Sequence, residues 1–184
     1  MKKLHEMNFV HNDLKLENIL LGHQDTGRFY LIDFGLASPY LDEKGEHIKK
    51  QQLYKFSGNF LFASLNSCRG NSKSRRDDIE SCIYMLVYLI NHNKLPWTDF
   101  DKVFSNREDV NLCDYLRERL NKKYTRALFK MVPRDMSACL KTVLCMRFDE
   151  RPPYELIELA LRSCFKRALL TQEPKAPPSH NLNS

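Results

Sequence analysis

The sequence predicts a mainly α fold with one small β-hairpin near its front, and three observations carry that prediction. The stretch "DDIESCIYMLVYLINH" is apolar on nearly every helical face. Amphipathic helical patterns follow it, and two short apolar runs near the front are separated by turn-forming residues.

In chain order, "NILL" and "RFYLIDF" read as the two strands, and "GHQDTG" between them carries hairpin turn chemistry. From residue 36 to about residue 70 periodicity is weak and Gly45, Gly58 and Gly70 interrupt polar chain. Irregular segments of that length in compact domains are commonly functional or disordered. Next comes the long apolar helix, where Ile79, Cys82, Ile83, Leu86, Val87, Leu89 and Ile90 cover the circumference and predict burial all round. "NLCDYLRERL" lines up Leu112, Tyr115, Leu116 and Leu120, and "DMSACLKTVLCM" lines up Met136, Cys139, Leu140, Val143 and Leu144, so both predict amphipathic surface helices. A last helix begins at "RPPYELIELALRSCF", where proline suits a first turn whose N–H groups have no helical partner. The Pro-, Ser- and Asn-rich ending predicts disorder, which gives one domain over residues 1–168 and a tail over residues 169–184.

Composition narrows the function classes. With 184 residues and 42% apolar content, the chain suits one domain with a proper core. The formal charge of +6 favours acidic partners, either nucleic acid or acidic peptide. Its lysines and arginines are scattered and no basic helix interleaves them with stacking aromatics, so protein substrates are expected and nucleic acid is not. No apolar run reaches bilayer length, and "MKKLHEMNFVHND" has a charged start without an apolar stretch behind it. The expectation is a monomer in the cytoplasm or nucleus, with no membrane partner. Cys68, Cys82, Cys113, Cys139, Cys145 and Cys164 form no CxxC pair and have no clustered histidine, which predicts reduced core thiols and no cysteine-bound metal.

The chemistry lies in two short stretches. "HNDLKLEN" offers Asp13 as a carboxylate base, Lys15 as a nearby cation and Asn18 as a neutral oxygen ligand, and "LIDFG" adds Asp33 behind a strand. Phosphoryl transfer from ATP uses these residue types. A carboxylate orients the attacking hydroxyl and takes its proton, oxygen donors hold Mg²⁺, and a positive charge faces the transferring group. The hairpin between Asn18 and Asp33 can bring the two ligands together. Singly the signals are weak, since an aspartate is most often a cap or surface residue and His11 alone reads as a core histidine. In this order, across a strand hairpin, they form a specific constellation.

With those residues in view, the chain resembles a protein kinase, and more closely the C-terminal lobe of the casein kinase I family. "HNDLKLEN" is similar to the HRDxKxxN catalytic loop, "DFGLA" to the start of the activation segment, and "FSGNFLFASLNS" to its end, where Ser64, Leu65 and Asn66 match the family's S-I-N in place of APE. "SRRDDIES" followed by "LPW" is the most family-specific stretch, and "RFDERPPY" is similar to the family's closing helix. The resemblance runs from residue 1 to about residue 168. It implies a protein-kinase-like C-terminal lobe within an α+β superfamily fold, and an ATP- and Mg²⁺-dependent Ser/Thr protein kinase.

Carried over residue by residue, the resemblance implies that Asp13 is the catalytic base and Lys15 the phosphate-contacting lysine of Ser/Thr kinases. Asn18 and Asp33 would hold Mg²⁺, and Leu20 and Ile32 match the apolar positions beneath the adenine ring. His11 and Phe34 match a stacked apolar spine. Asp78 matches the carboxylate that anchors the loop backbone, although Asp77 or Asp78 as a plain helix cap fits the sequence equally well.

Departures from the family pattern sharpen the expectation. Asn12 replaces the Arg of HRD, Asn59 replaces a Thr that bonds the catalytic Asp, and Leu61 replaces an Arg that helps bind acidic or phosphorylated substrate. An Asn59 amide could still donate to Asp13, and Lys49, Lys50 and Lys55 could compensate for Leu61, or simply form a solvated loop. The chain contains no Gly-rich phosphate loop. The expectation is therefore the lobe alone, the N-terminal lobe absent, in a truncated chain that is slow by itself. Two alternatives stay open: a lobe-only pseudokinase that acts as a protein-binding module, and a small-molecule phosphotransferase, against which Lys15 and the "SRRDDIES" stretch both argue.

Overall fold

A set of helices follows a front made of short strands. The computed structural model describes residues 1–23, 25, 27–53, 55–100 and 111–171. Helix α1 (Lys2–Glu6) leads into strand β1 (Phe9–Val10), a 3₁₀ turn over Leu16–Asn18, β2 (Ile19–Leu21), β3 (Phe29–Leu31) and β4 (Ser38–Pro39). Helices α2 (Leu65–Cys68), α3 (Arg75–Ile90), α4 (Leu112–Arg119), α5 (Lys122–Met131), α6 (Arg134–Cys145) and α7 (Tyr154–Thr171) complete the described chain.

The expected hairpin is β2 with β3, antiparallel with Leu20 opposite Tyr30. It is shorter than "RFYLIDF" suggested, because the strand ends at Leu31 and Asp33 takes a left-handed φ of +59°. Gly22 closes the turn by donating to Arg28 O at 2.9 Å, and a Cβ there would lie 2.5 Å from Asp25 O, so only glycine fits. A second antiparallel pair, β1 with β4, ties Phe9–Val10 to Ser38–Pro39.

Helix α3 is the axis of the core. Ser74 and Asp77 form a capping box at its start, with Ser74 N donating to Asp77 Oδ2 at 2.9 Å. Ile79, Ile83 and Val87 are buried against Leu128, Leu140 and Val143. Burial all round was expected, but Leu89 and Ile90 are 51% and 52% exposed, because the last turn of α3 emerges from the bundle. Helix α6 behaves as expected, burying Met136, Cys139, Leu140 and Val143 between α3 and α7.

Helix α4 turns most of its predicted stripe inward, with Tyr115, Leu116 and the C-cap Leu120 partly buried and Tyr115 packed against the core. Leu112 is exposed, and the buried residue is Arg119, whose guanidinium lies 3.1 Å from the centroid of the Trp97 ring and 4.9 Å from that of Tyr84. Two aromatic faces let this cation leave water. Helix α7 runs to Thr171, past the expected boundary at residue 168, and residues 172–184 of the expected tail lie outside the described residues. All six cysteines are free thiols; Cys68 and Cys139 are buried, Cys82 and Cys164 are partly buried, and Cys113 and Cys145 are exposed. Burial pushes the Cys68 thiol up to about 11 and the Cys82 thiol up to about 12, which keeps both protonated.

Candidate active site

The site forms where three strand-poor segments meet the N-terminus of α3. Asp78, fully enclosed on the first turn of that helix, faces the loop before β2. Its Oδ2 accepts from His11 N at 2.7 Å and from His5 Nε2 at 3.0 Å, and its Oδ1 accepts from Asn12 N at 3.0 Å. Two consecutive backbone N–H groups are thereby fixed, and Asn12 is held at a φ of +69°, a region that asparagine enters at lower cost than most residues. The two readings of "DD" separate here: Asp77 completes the capping box with Ser74, and Asp78 is the loop anchor.

Asp13 is the next residue. Its Oδ2 accepts from Lys15 Nζ at 2.9 Å and its Oδ1 accepts from the backbone N–H of Asn59 at 2.7 Å. Burial pushes this carboxyl up, but the hydrogen bond and charge of Lys15, the Asn59 N–H and the more distant Lys73 together outweigh it and hold Asp13 below the usual aspartate range. The group is therefore a fixed carboxylate at neutral pH, able to accept a proton or a hydroxyl hydrogen bond. Asn59 supports it differently from expectation. The donor is its backbone N–H, while its side-chain oxygen accepts from Phe62 N at 3.1 Å and closes the next turn.

Asn18 is buried and its Nδ2 donates to Asp13 O at 2.9 Å, which commits the amide nitrogen and leaves the amide oxygen as the atom on offer to a cation. Asn18 O also accepts from Ile32 N at 2.9 Å, and His11 Nε2 lies 3.1 Å from Ile32 O. The residue before Asp33 is thus held from both sides. Asp33 itself is exposed, its Oδ1 accepts from Gly35 N at 3.3 Å, and its charge reaches Lys15. Lys15 has its pKa raised, first by the hydrogen bond to Asp13 and then by the carboxylates around it. An amide oxygen and a carboxylate are hard donors that suit Mg²⁺. The Phe34 ring packs at a tilt against His11 with centroids 5.2 Å apart, so the two residues that the spine resemblance pairs are in contact.

Leu20 and Ile32 share the outward face of the hairpin with Tyr30, as strand alternation requires. They line a shallow cavity of about 630 Å³, and both are exposed, at 48% and 36%. A planar aromatic base could rest there. Leu61, in contrast, is partly buried against the core and its carbonyl accepts from Trp97 Nε1 at 2.7 Å, so "LPW" is tied to the end of the long segment. Lys49, Lys50 and Lys55 are exposed.

Three features escaped the sequence reading. Asn12 Nδ2 donates to Leu36 O at 2.8 Å and to Ser38 Oγ at 2.9 Å, so the residue that replaces Arg fastens the loop to the chain after Asp33. Gly58, at φ +88°, passes so close to the loop that a Cβ would lie 2.7 Å from Asn12 O. Lys73 donates from Nζ into the same place. The glycine was visible in the sequence, but nothing in a lone Gly or Lys announces a contact across tens of residues. The family model described as "Protein kinase domain" matches residues 1–161.

Proposed function

The chain belongs to the protein kinase domain family, and from that premise we propose that it is a Ser/Thr protein kinase of casein kinase I type with ATP as phosphoryl donor. The observation that carries this reading is the Asp13 carboxylate, bonded to Lys15 and to the Asn59 N–H and standing beside Asn18 and the Asp33 turn. Asp13 orients a substrate hydroxyl and takes its proton as the oxygen attacks. Lys15 sets its charge beside that carboxylate and stabilises negative charge on the transferring group. Asn18 Oδ1 and the Asp33 carboxylate would hold Mg²⁺, which neutralises phosphate charge when bound. Leu20 and Ile32 supply the apolar floor for the adenine. The substrates are proteins. A preference for acidic or primed sites would fall to the exposed Lys49, Lys50 and Lys55, because Leu61 brings no cation.

The test joins these 184 residues to the N-terminal lobe of a casein kinase I and follows transfer of the ATP γ-phosphoryl group to casein. Labelling is expected, and Asp13→Asn should lower kcat by about 10² to 10⁴ while the melting temperature stays within a few degrees. Labelling that persists at the full rate in Asp13→Asn would remove Asp13 from its role.

A second reading, a protein-binding module, is favoured by a separate observation. Met7, Phe9, Leu21, Phe29 and Phe34 are exposed on the strand side of the chain, at 41% to 70%. A chain whose melting temperature ignores Mg-ATP, and which binds a defined protein through this face, would support it instead.

A further inference from the structure

Lys73 lies in "NSKSRRDD", on the turn that enters α3, outside the stretches that carry the chemistry. Its Nζ donates to Asn12 O and to Ser57 O, both at 2.7 Å. One acceptor belongs to the peptide that precedes Asp13. The other belongs to the turn that, through Gly58, delivers the Asn59 N–H to Asp13 Oδ1. Space around the ammonium is tight, since a Cβ on Gly58 would stand 3.0 Å from Nζ, and the Phe56 ring lies 5.7 Å away on another side. A surface lysine keeps a hydrated, mobile head group, whereas this one has exchanged water for two carbonyls in fixed positions. Bonds from an ionised donor are about twice as strong as neutral ones, which suits a contact that must hold two segments from distant parts of the chain.

We propose that Lys73 is a positioning residue, whose ammonium clamps the Ser57–Asn59 turn onto the Asp13 loop and so fixes the direction from which the Asn59 N–H holds the Asp13 carboxylate. Asn12 is the node of the arrangement. Its side chain fastens Leu36 and Ser38, and its carbonyl, through Lys73, fastens Ser57. Both ends of the segment between residues 36 and 57 are thus held to one residue of the loop, with no added phosphate required. The clamp is a property of the fold, and only its effect on rate rests on the kinase reading.

Amide hydrogen exchange on the whole 184-residue chain tests it. In Lys73→Met, the Asn59 N–H should exchange at least about tenfold faster relative to the Ile83 N–H of α3 than it does in the wild type. Lys73→Arg, which keeps charge and donors, should recover most of that ratio. General destabilisation would speed Ile83 as much as Asn59, so an unchanged ratio in Lys73→Met overturns the clamp, as does a Lys73→Arg chain as loose as Lys73→Met. Should Lys73→Met fail to fold, the ratio is read in Lys73→Gln with the same two outcomes. In the casein assay, Lys73→Met should lower kcat by about 10²-fold with KM for ATP unchanged. A wild type that labels nothing defeats the kinase reading alone, and the exchange ratio still decides the clamp.

Discussion

The helical side and the strand side of this chain bury their apolar residues in opposite degree. Around α3, Ile83, Tyr84, Val87, Leu140 and Val143 are at most 1% exposed. Around the hairpin, Leu20, Leu21, Phe29 and Tyr30 are 47% to 70% exposed. The candidate catalytic residues sit on the seam between them, and the backbone of their loop is anchored from the helical side by Asp78 and Lys73. The lesson is that a loop can be held rigid next to an open face when its backbone is anchored from behind by charged groups of a closed core.

The sharpest way to break that arrangement is at Asp78. Asp78→Ala strands the His11 and Asn12 N–H groups and the His5 ring in a dry site. Removing one member of a buried charged network costs about 3–5 kcal/mol, so urea unfolding should show a loss in that range. His5 Nδ1 lies 2.6 Å from Tyr154 OH, so the loss should spread to the start of α7 and expose its amides to exchange. An Asp78→Ala chain of wild-type stability would mean that the loop does not depend on the core.

How much of this was legible follows from range. The 3.6-residue repeat announced α3 and α6, and the hairpin was visible from two apolar runs around glycine. The β1–β4 pair was not visible, because two-residue strands carry no periodicity. Helix α5 was passed over, although Tyr124 and Leu128 on it are buried. The stripe of α4 was legible in part: Tyr115 and Leu116 turn inward, but Leu112 stays exposed and the fully buried residue is Arg119, over Trp97 and Tyr84, since a buried cation carries no apolar signal. At the site, Asp13, Lys15, Asn18 and Asp33 were legible as motif residues. Lys73, Gly58 and the side-chain bonds of Asn12 were not, since their partners lie far along the chain and their residue types are common.

Glu80 sharpens the comparison from inside the closed side. It is buried on α3, where it accepts from Leu65 N at 2.6 Å and Tyr84 OH at 2.5 Å. Burial, with the neighbouring Asp77 charge, pushes its carboxyl up to about 7, against the pull of those donors and Arg119. In the unfolded chain the group ionises near its usual 4.5. The native state therefore binds the extra proton between pH 4.5 and 7. The stability linked to this site is fully present below the lower value and lost as pH rises through the upper one. Relative to E80Q, the wild type should lose about 3 kcal/mol of unfolding free energy across that window, at 1.36 kcal/mol per unit. Denaturation of both chains at the two ends of the window measures it, and a difference that does not change with pH would place the carboxylate in a wetter site than the geometry shows.

The smallest effect is expected on the open side, and it separates stability from recognition. Phe29 is 70% exposed and pairs with Leu21 across the hairpin, itself 53% exposed. Replacing Phe29 with Ser removes one cross-strand apolar pair and little else, so the unfolding free energy should fall by about 0.5 kcal/mol, within the range of such pairs. The same change removes the most exposed apolar ring of the face, so binding of a hydrophobic dye such as bis-ANS should fall clearly although the fold is intact. If Phe29→Ser instead destabilised the chain as a core truncation does, by about 2–5 kcal/mol, the hairpin would be buried in solution by something that covers it. The face would then be an occupied interface, and the contrast between the two sides would belong to the isolated chain only.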